Sequence, residues 1–333
     1  MHHTKRKMKN SSPRPGPRHW YLPAVCLFVV ALQTVMGQSG RLVDDSVPSR
    51  FLGANRNIHV YLPSSYDKET TRRYPVLYLH DGQNVFSSAG MNICFGWGNW
   101  GLDTTVDQLC RDGKMQEIIM VAADNCMSMA RTNEYSGRVN RALSVASTNA
   151  TSASSNTAFE NYAAFLITEL KPRIDREFRT KPDPANTGVM GSSAGGICSM
   201  VLAWEHPEVF GRAASLSGWF AAEGTNFVNS VLWGYRGKPK PFRVYLDSGV
   251  MDFEGGDDGS ALTGQVAAEL RRIGWTNNLT HYVDAKPLTP AELEASGLRR
   301  DKWPETQTSQ HNEFYWRRRA WRALVFLFPP SAN

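Results

Sequence analysis

Apolar and polar positions along the chain follow two rhythms that alternate. Arg56-Asn57-Ile58-His59-Val60-Tyr61-Leu62-Pro63 switches between polar and apolar with period two, which predicts a strand with one wetted face. Tyr74–His80, Glu117–Ala123, the short run from Thr187 to Met190, Arg212–Gly218, Phe242–Asp247 and Leu279–Asp284 have strand length, and the most continuously apolar of them read as strands buried on both sides of a parallel sheet. Between them lie stretches of helical character at Thr104–Cys110, Phe159–Phe178, Ile197–Trp204, Ala261–Ile273 and Trp316–Phe328. Strand followed by helix, repeated without an internal repeat, predicts an α/β architecture with a mostly parallel central sheet flanked by helices. Two stretches break the rhythm. Ser144–Ser155 is rich in Ser, Thr, Asn and Ala and reads as a surface loop, and residues 285–310 form a polar excursion with a weak helix signal at Pro290–Ser296.

The sharpest chemical signal lies where one rhythm gives way to the other. Thr187-Gly188-Val189-Met190 runs into Gly191-Ser192-Ser193-Ala194-Gly195-Gly196 and then into the helical Ile197–Trp204. Gly-x-Ser-x-Gly at a strand-to-helix turn is the pattern of a nucleophile elbow, where a strained turn lifts a serine hydroxyl above the sheet. Small residues two before and two after the serine let the backbones pass closely, so Ser193 is the candidate nucleophile.

A serine hydroxyl needs a neutral imidazole to take its proton and a carboxylate to orient that imidazole. In an elbow fold these follow the serine in the order acid, then histidine. Of His206, His281 and His311, the first sits against Pro207 at the end of the elbow helix and the second lies inside a strand. His311 falls in a loop between the last strand and the last helix, where a catalytic base belongs. The loop after Phe242–Asp247 offers Asp247, Asp252, Glu254, Asp257 and Asp258. A turn at Ser248-Gly249 would carry Asp252 outward to the imidazole, so Asp252 is preferred, with Asp247 as the alternative. The acidic, glycine-containing run from Asp252 to Asp258 lacks EF-hand spacing and reads as a solvated turn. His80-Asp81-Gly82-Gln83-Asn84 follows a buried strand at the place that supplies one oxyanion-hole amide, with the residue after the nucleophile supplying the other. The backbone N–H groups of Gln83 and Ala194 are the candidates.

Charge and cysteine usage add context. The net charge is +6, but Lys5, Arg6, Lys7, Lys9, Arg14 and Arg18 all precede the apolar run Tyr21–Leu32, and no acid stands among the first 37 residues. Residues 1–37 therefore read as a secretory signal peptide, with an uncleaved anchor as the alternative, and 38–333 as a single domain. Without the leader the net charge is zero, which argues against nucleic acid as a partner and leaves no reason for membrane attachment after cleavage. Arg317-Arg318-Arg319 reads as a solvated helix face. Cys94, Cys110, Cys126 and Cys198 are an even number in a chain bound for an oxidising compartment, so one or two disulfides are expected, and no Cys-x-x-Cys spacing suggests a metal. Asn149 and Asn278 head glycosylation sequons.

Taken together, Val60-Tyr61-Leu62-Pro63, Leu77–Asn84, Trp100-Gly101-Leu102-Asp103, Arg131-x-x-Glu134-Tyr135, Gly191–Gly196, Gly249-x-x-Asp252 and His311-x-Glu313-x-x-Trp316 resemble the putative-esterase (esterase D-like) family of α/β-hydrolases. That family includes enterochelin, feruloyl and acetyl-xylan esterases, and the resemblance covers most of residues 50–330. It implies the α/β-hydrolase fold, a Ser193–Asp252–His311 triad with Gln83 and Ala194 at the oxyanion hole, and cofactor-independent hydrolysis of a small or polysaccharide-linked ester. The chain departs from the pattern in one place: about 26 residues separate the last strand from His311, and Ser309-Gln310 replaces the usual glycine turn. Trp100, Arg131 and Trp219 are the candidate substrate contacts. Two rival functions use the same fold: acyl transfer to a sugar or lipid alcohol, and a silent carbohydrate-binding module.

Overall fold

Alternate residues of the buried strands part to opposite sides of one sheet. Val76 and Tyr78 join one apolar cluster with Val189, Ile119, Val121 and Leu246, while Leu77 and Leu79 join another with Met190, Met120, Ala122 and Tyr245. That division is what a strand covered on both faces produces, because successive side chains point to opposite sides. The computed structural model describes residues 39–126, 128–136, 157–222, 225–252, 255–286, 288–303 and 309–331. The leader, the Ser144–Ser155 loop and the Asn149 sequon lie outside these residues.

In chain order the elements are β1 (Arg41–Ser49), β2 (Ala54–Leu62), β3 (Val76–Leu79), α1 (Leu102–Arg111), β4 (Ile119–Ala123), α2 (Ser128–Tyr135), α3 (Thr157–Ala164) and α4 (Lys171–Glu177), the last two joined by a wide helical turn at Phe165–Leu170. There follow β5 (Thr187–Ser192), α5 (Ala194–Glu205), β6 (Arg212–Leu216), the short pair β7 (Ala221–Ala222) and β8 (Thr225–Asn226), β9 (Arg243–Gly249), α6 (Ser260–Ile273), β10 (Leu279–Asp284), α7 (Pro290–Ala295) and α8 (Glu313–Leu327).

Eight strands form the main sheet in the order β1-β2-β4-β3-β5-β6-β9-β10. β1 and β2 run antiparallel, as do β2 and β4, and the remaining neighbours are parallel. This is the α/β-hydrolase-like sheet. The expected strands and helices all appear. Four elements add to them: β1, whose polar sequence RLVDDSVPS owes its extended form to pairing with β2, α2, and the short pair β7 and β8. All described residues fall in one unit, Gln38–Asn333. Among them, no helix is long and apolar enough to cross a membrane.

The parallel strands aim their C-terminal ends at one edge of the sheet, the place where α/β folds bind ligands. Asp81 follows β3, Asn125 follows β4, Ser193 follows β5, Ser217 follows β6, and the acidic loop follows β9. The cysteine expectation fails: Cys94, Cys110, Cys126 and Cys198 are all free thiols. Cys198 is fully buried within α5, and burial pushes the thiols of Cys94 and Cys110 up to about 12, so these groups resist becoming the reactive thiolate.

Candidate active site

Ser193 sits at φ 55° and ψ −124°, a backbone conformation that non-glycine residues seldom adopt. It is held there by hydrogen bonds on both sides of the turn. Its N–H donates to Leu216 O at 3.0 Å, and its carbonyl accepts from Trp219 N at 3.0 Å and from Gly196 N at 3.0 Å. The glycines are steric necessities to different degrees. A Cβ on Gly191 would lie 2.7 Å from the Gly195 backbone, and one on Gly196 would lie 2.7 Å from Ser215 Oγ and 2.9 Å from Gly218 Cα. At Gly195 the nearest atom would be the His80 Cβ at 3.2 Å, a milder conflict.

The loop after β3 is fixed by a partly buried ion pair. Asp81, in the left-handed region at φ 58°, opens the short turn Gly82–Asn84. Arg131 donates from Nε and Nη2 to the two Asp81 carboxylate oxygens at 2.6 and 2.7 Å, and Asn125 Nδ2 donates to Asp81 Oδ1 at 2.6 Å. Burial works against the charge on Asp81, but Arg131 and Asn125 outweigh it and its carboxyl lies below the usual range. Gly82 passes so close to β4 that a Cβ would stand 2.7 Å from Ala122 O. Gln83 Oε1 accepts from Asn125 N at 3.1 Å, which sets the orientation of the residue. Behind the loop His80 is wholly buried, its Nδ1 paired with Tyr162 Oη at 2.8 Å, and burial lowers its pKa to about 4, so it stands as a neutral imidazole.

His311 Nδ1 lies 2.6 Å from a carboxylate, and that carboxylate belongs to Asp258. Nδ1 thus meets Asp258, where the reading of the sequence preferred Asp252 with Asp247 as the alternative. The loop after β9 doubles back: Asp252 N donates to Gly256 O at 2.6 Å and Gly255 N to Asp252 O at 3.2 Å. Ser309 Oγ reaches the Asp252 carboxylate at 3.5 Å, and Asp258 returns beneath the strand end, where it accepts from Gly249 N. The Asp258 side chain is completely buried and accepts from Ser217 Oγ at 2.6 Å and Gly249 N at 2.5 Å. Asp252, Asp258 and His311 each present an atom within 4.8 Å of the others, so the preferred acid is a neighbour of the imidazole although Asp258 receives the Nδ1 contact.

Asp247 is instead locked to Arg319, whose Nε donates to its Oδ1 at 2.8 Å, with both side chains fully buried. Arg319 also lies 3.5 Å from Asp258 Oδ2 and donates to Ser217 Oγ. Burial opposes the Arg319 charge, but Asp247 and Asp258 together hold its pKa above the usual value. The run Arg317-Arg318-Arg319 is therefore not a uniformly solvated face. Helical spacing places Arg319 on the inward side of α8 with Trp316, Ala320 and Ala323, all buried.

Gln310 replaces the expected glycine turn with a set of clamps. Its N–H donates to Met251 O at 2.8 Å, its Oε1 accepts from Val250 N at 2.7 Å, and its Nε2 donates to Asp284 O at 3.1 Å, tying the His311 loop to the ends of β9 and β10. Ser309 Oγ accepts from His311 N at 3.1 Å, and the Asn312 side chain caps α8 by accepting from Tyr315 N. The His311 ring stands edge-on to Trp316 with centroids 5.1 Å apart.

Ser193 and His311 border one cavity of about 440 Å³, which Gln83, Asn84, Arg131 and Glu313 also line. Of the three candidate substrate contacts, only Arg131 lines it, and its guanidinium is engaged by Asp81. Trp100 is 4% exposed and packs behind the cavity against Trp316, whose ring lines it; Trp100 belongs to the core. Trp219 is 40% exposed beside the elbow but does not line the cavity. Sequence reading missed Glu313 as a site residue. It accepts from Asn84 Nδ2 at 3.2 Å, and burial pushes its pKa up to about 7. The signal that could have found it is its position two residues after His311, one turn of helix before Trp316.

A mostly parallel sheet carrying a strained serine at its C-terminal edge, with a histidine on the same cavity paired to a buried carboxylate, defines an α/β-hydrolase-like protein. The chain belongs to the putative esterase family, whose model matches residues 49–272. That match includes Ser193 and Asp258 and stops short of His311. Over 177 residues, 51% of this chain, it is 31% identical to an endo-1,4-beta-xylanase/feruloyl esterase of Xylanibacter ruminicola, and spans 20% of that protein's length. Among solved structures it resembles a ferulic acid esterase (TM-score 0.61, 16% identity, 88% of this chain and 98% of that one). It also resembles the enterobactin esterase of Shigella flexneri (TM-score 0.60, 14% identity, 86% and 58%). At these identities the structural likeness establishes the fold.

Proposed function

We propose that this chain is a serine hydrolase of carboxylic esters, with Ser193 as nucleophile, His311 as general base and Asp258 as the acid. The observation that carries the reading is the His311 Nδ1–Asp258 contact of 2.6 Å on a ring that borders the same cavity as Ser193, the arrangement in which Nε2 serves as the base. In the reaction His311 Nε2 takes the Ser193 proton as Oγ attacks the ester carbonyl. Asp258 holds the ring in the required tautomer and stabilises the imidazolium. The backbone N–H groups of Gln83 and Ala194 receive the oxyanion, each contributing about 3 kcal/mol in the transition state. Ala194 suits this role because it opens α5, and the first amides of a helix have no intrahelical acceptor. Collapse passes the His311 proton to the leaving alcohol, and water then releases the acid from Ser193 by the same route.

Ester chemistry is supported by the family and by the feruloyl and enterobactin esterases that the chain resembles. The basic leader and apolar run of residues 1–37 support export, for which the mass of the protein released by secreting cells is the test. For the chemistry, the full chain and Ser193→Ala are treated with a fluorophosphonate and assayed on short aryl acetates. The expected result is one label on the Ser193 peptide, with labelling and hydrolysis both absent in the variant and activity down by about 10⁴-fold or more. A parent chain that neither labels nor hydrolyses would overturn the reading in favour of a silent binding module.

A further inference from the structure

Beyond His311 the catalytic cavity meets a second one, of about 450 Å³, lined by Cys94, Phe95, Trp97, Lys302, His311, Asn312, Glu313 and Trp316. The two share Cys94, Phe95, His311, Glu313 and Trp316, so they are adjoining lobes that both reach His311. We propose that this second lobe receives the alcohol half of the ester and selects an alcohol with a flat apolar body that carries a negative charge. The proposal rests on the serine-hydrolase reading and adds to it a substrate class.

The assignment of the lobe follows from the proton. His311 must deliver its proton to the departing alkoxide, so the alcohol lies on the imidazole's side of the serine, away from the oxyanion loop. The lobe on that side has no oxyanion donor and no Ser193 among its walls. Its body is aromatic. The buried Trp97 and Trp316 are among its lining residues, and Phe95, which also lines it, stands 92% exposed with a left-handed backbone at φ 58°. A ring this exposed beside a cavity has apolar area to offer a ligand.

Its charge comes from the polar excursion before His311. Leu298 joins Trp97, Phe314 and Tyr315 in a small apolar cluster, with Leu288 and Trp303 packed against it. The excursion is thereby fastened over the start of α8. α7 within it has a capping box between Thr289 and Glu292, and Glu292 is held by Arg318 at 3.3 Å. This packing brings Lys302 to the lobe, its Nζ 5.3 Å from the Trp97 ring centroid. Neighbouring charges are already matched: Arg299 pairs with Asp301 at 3.0 Å and Arg300 with Glu294 at 3.1 Å. Glu313 is the acid in the wall, but it is hydrogen-bonded by Asn84 and burial raises its pKa to about 7, which leaves it largely protonated in mildly acidic solution. Lys302 is then the charge that a ligand meets, and an ammonium over an aromatic wall suits an anionic group on a flat body.

The test compares two acetate esters that differ only in the alcohol: 4-acetoxybenzoate, whose leaving group carries a carboxylate, and 4-acetoxybenzamide, its neutral counterpart. The ratio of their kcat/KM values is measured at mildly acidic pH for the full chain, Lys302→Ala and Lys302→Arg. The expected ratio favours the carboxylate, falls by about tenfold in Lys302→Ala, returns in Lys302→Arg, and shrinks at high salt. A ratio unchanged by Lys302→Ala overturns the proposal while leaving the hydrolase reading in place. If neither ester is turned over, the hydrolase reading fails, and the lobe is read directly by calorimetry of 4-hydroxybenzoate with Ser193→Ala. Binding that weakens about tenfold when Lys302→Ala is added supports the charge preference, and binding indifferent to Lys302 contradicts it.

Discussion

The elbow and the base corner are built in opposite ways. One continuous stretch from Thr187 to Gly196 supplies the strand, the strained serine and the glycines that permit it. The base corner draws Ser217, Asp247, Asp258, Gln310 with His311, and Arg319 from separate parts of the chain into one buried network. The elbow is a steric device, in which backbones pass so closely that only small residues fit. The base corner is an electrostatic one, in which two carboxylates share a buried guanidinium. Damage at the first should displace the nucleophile locally, whereas damage at the second should reach the fold itself.

The largest effect on stability is expected at Arg319. Arg319→Met removes the cation from between Asp247 and Asp258 and leaves two buried carboxylates, at a cost of about 3–5 kcal/mol. Urea denaturation at neutral pH measures it, and a loss below about 1 kcal/mol would show that the network is not load-sharing. Next comes Gly191→Ala, whose Cβ would meet the Gly195 backbone at 2.7 Å. The expected loss is about 1–3 kcal/mol, accompanied by a fall in kcat as Ser193 shifts, and an unchanged kcat would remove the steric account of the elbow.

A smaller effect separates the regions by pH. Burial raises the Glu313 carboxyl from 4.5 to about 7, so in that window the folded state binds more protons than the unfolded one. Its contribution is therefore present in acid and lost as pH rises from 4.5 through 7. His80 works the other way: burial lowers it from 6.5 to about 4, and its contribution is lost as pH falls through that range. Glu313→Gln should remove the first slope, so that stability relative to the parent improves with rising pH by about 3 kcal/mol across the window. Parallel stability curves for parent and variant would show that Glu313 is not held protonated by burial.

The same contrast explains what the sequence made legible. The elbow, the sheet and the neighbourhood of His311 were readable because each depends on local pattern: apolar runs for buried strands, and a glycine–serine turn between strand and helix. The Nδ1 partner was not, because which aspartate of the loop meets His311 depends on how Asp252 pairs with Gly255 and Gly256, which no residue type dictates. Arg319 was hidden inside a basic run and is distinguished only by its helical phase with Trp316 and Ala323. Trp100, a candidate substrate contact in the sequence, is buried by packing on Trp316, a long-range contact that no local pattern announces. Gln310 shows how a departure from pattern is absorbed: hydrogen bonds to Val250, Met251 and Asp284 take over what a glycine turn does elsewhere.

The central claim is that Asp258 orients His311 and that Asp252, although within 4.8 Å of the cluster, does not. It is tested most directly by measuring kcat/KM for Asp258→Asn and Asp252→Asn side by side on one aryl acetate. The account predicts that Asp258→Asn loses about 10⁴-fold and Asp252→Asn less than about tenfold. A near-parental Asp258→Asn beside a disabled Asp252→Asn would contradict it.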